Sequence, residues 1–418
     1  MKMKASQKLE TTALTQSAMK AYYETARNAR SRGRKVAWST VMMPTEILLA
    51  ADIDVVFPEN HSATCGAKGL GAELCELAED AGLSQETCSY ARCDLGVRHG
   101  GMSPWGGLPI PDIVFCATSS CTTVMKWFED IARHYGCELA IVDMPYNFSG
   151  EITAHSEQYI VSQLEECIGQ IETLTGKTFN YERLTQIMEL SHTAHDYWRK
   201  CLELGAVKPS PITMTDILVN MGPIVCLRGT QEAVNIYESL HEEIAQRVRI
   251  GYVAAGTERF RLVWDGIPFW FALGSVVRRL SELGAVLVGA TYFYHWVREV
   301  DPADPLRSMG RAYCTAITMN QSVAHKIEKI GMLLKLYQAD GLIIHSNRSC
   351  KSDSLGALDL HRDVEKQFGV SVLMLDGDHT DSRAVSDAAV QTRMEAFIEG
   401  LEQKRFGRLR LVDKLSVQ

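Results

Sequence analysis

Eight short, almost uninterrupted apolar runs constrain this chain more than any other feature, because each is followed by a helical pattern rather than by another strand. The first four are 36–39, 54–57, 112–115 and 139–142, with amphipathic stretches at 71–81 and 122–135 between them. Continuous apolar strands alternating with helices predict a parallel sheet covered on both faces. From about 150 to 249 the strand signal disappears and long helical periodicity replaces it, at 156–174, 183–204 and 231–248. Four more strand-like runs come next at 261–264, 285–288, 341–344 and 371–374, then a last helix over 383–403. The fold class expected is α/β, with two Rossmann- or flavodoxin-like parallel-sheet domains joined by a helical connector and preceded by a helical arm. The boundaries expected are 1–35 for the arm, 36–150 for the first α/β domain, 151–250 for the connector, and 251–418 for the second α/β domain with its C-terminal helix.

The two halves mirror each other coarsely. The third strand of each opens at or after an aspartate, Asp112 or Asp340, and runs into a polar turn ending in Cys121 or Cys350. The fourth ends in Asp143 or Asp376. In open α/β sheets ligands bind beyond the C-terminal ends of the strands, and both cysteines fall in that zone. The formal charge of −8 argues against nucleic acid as a partner. No apolar run is long enough to cross a bilayer, and the polar start of the chain has no apolar signal region, so a cytoplasmic location is expected.

Twelve cysteines in a reducing compartment are not expected to pair, and with no CxxC anywhere they match neither zinc ribbons nor ferredoxin-type clusters. Three stand apart. Cys121 opens a helix after Ser119-Ser120, Cys350 opens another between Arg348 and Lys351, and Cys88 lies near a helix start after a Gly82 stop and a Ser84 cap. Helix N-termini and nearby cations favour thiolate, so all three positions are read as favouring an ionised sulfur. From the residues alone two readings stand open: buried structural thiols, or three ligands of an iron–sulfur cluster that keeps one iron free for substrate.

The chain resembles the 2-hydroxyacyl-CoA dehydratase family, which also contains benzoyl-CoA reductase subunits and double-cubane cluster proteins. The likeness is carried by Trp38-Ser39-Thr40, Pro44-Thr45-Glu46, Pro58-Glu59-Asn60, Glu73-Leu74-Cys75-Glu76, Cys88-Ser89-Tyr90-Ala91-Arg92 with Gly96, and Cys121 followed by Lys126-Trp127-Phe128-Glu129. Arg348-Ser349-Cys350-Lys351 and Asp376-Gly377-Asp378 extend it into the second half. The resemblance implies the larger subunit of an (R)-2-hydroxyacyl-CoA dehydratase. Such a subunit holds a [4Fe-4S] cluster through Cys88, Cys121 and Cys350, with the acyl-CoA thioester at the open iron. It pairs with a smaller homologous iron–sulfur subunit and receives an electron from an ATP-hydrolysing activator with its own cluster. Water then leaves through a ketyl radical, Glu59 matching the active-site carboxylate that moves the proton. A benzoyl-CoA reductase subunit and a homodimeric double-cubane reductase are the alternatives.

One position departs from the pattern. Where dehydratases of this type carry a serine three residues after the tryptophan, this chain has Val41, and Ser39 is taken as the hydroxyl that serves instead. Gly176-Lys177-Thr178 lacks the first glycine of a phosphate loop, which is Ile171 here, and reads as a helix end. The glycines of 65–71 read as a flexible turn, with Lys68 able to meet a phosphate as the alternative. His192 and His195 read as surface histidines, and Asp376, Asp378, His379 and Asp381 as a strand-end turn with a helix cap. Trp264, Trp270, Phe271, Tyr292 and Tyr294 read as core, and the stretch around Trp296 as a candidate wall for an acyl group.

Overall fold

A computed structural model describes residues 8–415 apart from Ile317. Two four-stranded sheets carry the fold, and every pairing in them is parallel. The first comprises β1 (Val36–Ser39), β2 (Asp54–Val56), β3 (Ile113–Ala117) and β4 (Glu138–Val142); the second comprises β5 (Phe260–Asp265), β6 (Ala285–Ala290), β7 (Gly341–Asn347) and β8 (Ser371–Gly377). The strand orders β2-β1-β3-β4 and β6-β5-β7-β8 are the same arrangement twice, with the switch between the first and third strands of each sheet. β1, β3, β5 and β6 are buried along their whole length, as continuous apolar runs require when helices cover both faces.

The mirror extends to single hydrogen bonds. Val36 donates its N–H to Asp112 Oδ2 at 2.9 Å, and Asp112 N–H donates to Val36 O at 2.8 Å. In the second sheet Arg261 N–H donates to Asp340 Oδ2 at 2.8 Å, and Asp340 N–H donates to Arg261 O at 2.8 Å. In each half one aspartate therefore pins the start of the third strand to the first, which sets the register across the switch.

Between the sheets lie the long helices Ala154–Thr175, Tyr181–Leu204 and Gln231–Arg249, capped by the side chains of Thr153, Asn180 and Thr230. Gly176 ends the first of them in a left-handed conformation, as a helix stop should. The N-terminal helix Thr11–Arg27 has no cap of its own. Glu243, from the connector, accepts the N–H groups of Glu10 (2.7 Å) and Thr11 (3.0 Å), so packing on the connector satisfies that terminus. His195 does not reach the surface: it is buried in the connector and its Nδ1 lies 2.8 Å from Trp296 O. Helical periodicity placed it beside exposed His192, but it faces the neighbouring segment rather than water. The C-terminal helix begins at Asp387, four residues later than expected, because Ser382–Ala384 form a separate 3-10 turn.

The halves are tied by a buried ionic network. Arg92, from the helix Ser89–Arg98, pairs with Glu79 at 2.6 Å on its own side and with Asp381 at 2.8 Å across the junction. The 65–71 segment is not a loose turn. Its first part completes the helix Pro58–Ala67, and a Cβ on Gly66 or Gly71 would lie 3.0 or 2.1 Å from Thr380, so those glycines let the halves approach. Lys68 lies over the Trp105 ring at 5.4 Å.

Candidate active site

The C-terminal edges of the two sheets face each other across a cavity of about 100 Å³. Its wall is built from residues just past the strand ends: Val41 after β1, Glu59 after β2, Cys121 after β3, Ile267 after β5, Tyr292 after β6 and Cys350 after β7. Cys121 and Cys350 thus occupy corresponding places in the two halves. Cys88 completes the set from the start of the helix Ser89–Arg98, so all three cysteines line one cavity although 262 positions separate the first from the last (350 − 88).

Each thiol occupies the N-cap position of a helix: Cys88 before Ser89–Arg98, Cys121 before Thr122–Tyr135 and Cys350 before Lys351–Ser354. Ser84 does not cap the first of these, since its hydroxyl instead accepts the N–H of Glu86 at 3.2 Å. N–H groups of Tyr90 and Ala91 support Cys88, and those of Thr123 and Val124 support Cys121. The expectation of ionised sulfur nevertheless fails for the cofactor-free chain. Burial pushes all three thiols up, Cys350 to about 12, and the charges of Cys350 and Cys121 push Cys88 further. Desolvation outweighs the helix-terminal N–H groups here because burial is the largest effect on each thiol. That the thiols perturb one another shows that they stand close together.

Glu59 faces the same space. Burial raises its carboxyl to about 8, against the lowering effects of the Val41 N–H, which donates to Oε2 at 2.8 Å, and of the Arg228 charge. At neutral pH the group is therefore mostly protonated, with Oε1 free of protein partners among the described residues. Trp270, Tyr292 and Trp296 contribute aromatic surface, so part of what read as core is cavity wall.

Three members of the surroundings were named in the sequence only within motifs or a turn, without a role at the site. Tyr90 lines the cavity and accepts a hydrogen bond from Trp270 Nε1 at 2.5 Å, joining the halves beside the thiols. His379, fully buried, has Nε2 3.0 Å from Ser89 Oγ and 3.9 Å from Cys88 Sγ, and Nδ1 2.7 Å from Asn347 Nδ2. Burial takes its imidazole down to about 4, so it stays neutral. Asp378 accepts hydrogen bonds from Ser349 Oγ and, at 2.8 and 2.9 Å, from the N–H groups of Thr380 and Asp381. The strand-end turn expected at 376–381 is present. The His379 imidazole within it also props the Cys88 turn, a role signalled in sequence only by the Asp-Gly-Asp-His run.

Residues 40–401 match the family described as 2-hydroxyglutaryl-CoA dehydratase, D-component. The chain belongs to this family. Among its relatives is the (R)-2-hydroxyisocaproyl-CoA dehydratase alpha subunit of Clostridioides difficile, 32% identical over 92% of this chain and 94% of that protein. The (R)-phenyllactyl-CoA dehydratase alpha subunit of Clostridium sporogenes is 32% identical over 91% and 93%. A benzoyl-CoA reductase subunit of Thauera aromatica is 31% identical over 92% and 93%. The family match takes in seven of the eight strands, β1 lying just before it, together with all three cavity cysteines and Glu59.

Ser39 lies just outside the family match and outside the cavity wall. It is fully buried and its hydroxyl donates to Thr40 O at 3.1 Å. Val41 takes the exposed place instead, with its side chain on the cavity. Ser39 is the last residue of β1 and stays inside the sheet, while Val41 lies in the turn that follows, beyond the sheet's edge. Among the described residues no three His, Cys, Asp or Glu side chains converge as they would on a single metal ion.

Proposed function

We propose that this chain is the iron–sulfur subunit of an enzyme that removes water from an (R)-2-hydroxyacyl-CoA. The observation that carries the proposal is the convergence of Cys88, Cys121 and Cys350 with Glu59 on one buried cavity at the facing edges of the two sheets. Three thiols without a fourth suit a [4Fe-4S] cluster with one iron left open. When bound, the cluster supplies one-electron chemistry at the thioester. The protein's residues do the rest. Cys88, Cys121 and Cys350 hold the cluster, each backed by a helix start, and Trp270, Tyr292 and Trp296 keep water away. Glu59, protonated at neutral pH, gives its proton to the departing hydroxyl through Oε1. The resulting carboxylate takes the β-proton, so water and an enoyl thioester form and Glu59 returns to its starting state.

A related smaller subunit and an ATP-hydrolysing activator complete the proposed system, and the naming of the relatives as subunits supports an assembly of this kind. The cytoplasm is the proposed location, and among the described residues no helix is long and apolar enough to cross a membrane. One observation favours a second reading: Val41 puts an apolar group on the cavity where a hydroxyl was expected, which suits ring reduction of benzoyl-CoA. Anaerobic incubation of the reconstituted complex with 2-hydroxyacyl-CoA and with benzoyl-CoA separates the two. Ring reduction without enoyl-CoA would reverse the order. The ligand set is checked by iron content: Cys350→Ala should lose the cluster. Cys201→Ala, whose thiol is buried in the connector with Sγ 3.8 Å from Tyr237 O, should keep about four irons per chain.

A further inference from the structure

We infer that the cavity accepts only an apolar acyl group, aromatic or branched aliphatic, and rejects an acyl chain that ends in a second carboxylate. The inference rests on the reading above, that a CoA thioester is bound here. Apart from the thiols, Glu59 and the small polar groups of Asn60, Ser120, Thr123 and Ser352, the wall is mainly hydrocarbon and aromatic, and among the described residues no lysine or arginine lines it. Val41, Met42, Met221, Val225, Trp270 and Trp296 belong to that apolar surface.

The nearest cations are turned to other tasks. Arg228 is buried and donates through Nε to Tyr313 Oη at 2.8 Å, through Nη1 to Val225 O, and through Nη2 to Met43 O at 2.9 Å and Val41 O at 3.4 Å. Its guanidinium therefore braces the backbone of Val41 and Val225, two residues of the wall, and cannot also face a substrate. Arg298 is buried behind Met42 and Trp296. Its Nη2 lies 3.0 Å from Met42 Sδ, and its guanidinium stacks 3.9 Å from the Tyr313 ring and 4.8 Å from the Trp296 ring. Nε and Nη1 of Arg298 have no hydrogen-bond partner among the described residues, but Arg298 lines a separate cavity beside Tyr294 and Lys329 and not this one. Neither Glu59 nor His295 on the wall supplies a positive charge: burial keeps Glu59 protonated up to about pH 8 and keeps His295 neutral. A carboxylate entering this space would lose its hydration and gain no counter-charge. A phenyl or isobutyl group would lose only water.

The test uses the anaerobically assembled complex and three probes: 2-hydroxyisocaproyl-CoA, phenyllactyl-CoA and 2-hydroxyglutaryl-CoA. Dissociation constants are measured with the activator omitted, and kcat/KM with it present. The expected result is binding of the first two at least about a hundred-fold tighter than the third, with the same order in kcat/KM. Binding of 2-hydroxyglutaryl-CoA within about ten-fold of the others would overturn the inference while leaving the dehydratase reading intact. The converse, the expected binding order without turnover of any probe, would uphold the inference and remove the dehydratase reading. Met221→Lys places a cation on the wall and should narrow the binding ratio about ten-fold or more; a folded variant with an unchanged ratio would show that the acyl group does not reach this wall. If that variant does not fold, the three wild-type constants decide the matter.

Discussion

Glu59 shows how much a single residue owes to its surroundings. A carboxyl in water titrates near 4.5, whereas burial beside Val41 holds this one at about 8. Between those values the folded chain keeps a proton that the unfolded chain has lost, so stability is full below about pH 4.5 and falls as pH rises toward 8. Integrated over that window the loss is on the order of 5 kcal/mol. Glu59→Gln keeps the acceptor for the Val41 N–H and removes the titration. The cofactor-free variant should therefore match the wild type in thermal melts near pH 4.5 and melt at higher temperature at pH 8. Equal melting temperatures at both would mean that the carboxyl is not held protonated. Activity should move the other way, falling about a hundred-fold or more, because glutamine cannot shuttle a proton. Pro58-Glu59-Asn60 marked this residue in the sequence. Its raised proton affinity was not legible there, since that depends on walls contributed by distant segments.

At the scale of elements, short helices are useful here mainly for their first turns. Three of them begin at a cavity cysteine, and the geometry of each start depends on what packs behind it. The helices Gly71–Asp80 and Ser89–Arg98 touch so closely that a Cβ on Gly96 would lie 2.1 Å from Leu74 O. Gly96→Ala must push the pair apart, at about 1–3 kcal/mol, and because Cys88 caps the second helix the displacement should also reduce iron retention. Gly400→Ala is the control. That glycine lies inside the C-terminal helix with nothing within 4 Å of its Cβ position, so the substitution should be neutral or stabilising by about 0.5–1 kcal/mol. Denaturant midpoints and iron content of the two variants check both statements. The strands were legible in outline because apolar runs between helical stretches leave little choice. Their ends were less so, and β7 and β8 continue to Asn347 and Gly377, well past the apolar runs, because the two strands go on pairing with each other there, Ser346 opposite Asp376 and Asn347 opposite Gly377.

The whole molecule depends on holding two sheets edge to edge, since neither half encloses the cavity alone. Arg92 is central to that junction, buried between Glu79 of the first half and Asp381 of the second. Burial alone would raise Asp381, but hydrogen bonds from Arg383 and Arg92 outweigh it and hold the carboxyl low. Its stabilising contribution is therefore present above the ordinary carboxylate range and is lost as pH falls through and below it. Arg92→Met leaves acidic groups buried without their partner and should cost about 3–5 kcal/mol at pH 7, measured by urea denaturation, with the deficit shrinking below about pH 4. A deficit independent of pH would mean that packing, not charge, accounts for the loss. The sequence by itself determined the α/β class, the two sets of four strands, the helical stretch between them and the residue types that distinguish the family, because periodicity and local motifs are properties of neighbouring residues. Only the tertiary structure decided that Cys88, Cys121 and Cys350 share one cavity, that Val41 and not Ser39 reaches its wall, and that His195 lies inside. Each of those outcomes turns on which distant surfaces meet and exclude water, and burial of that kind is not written in any one stretch of chain.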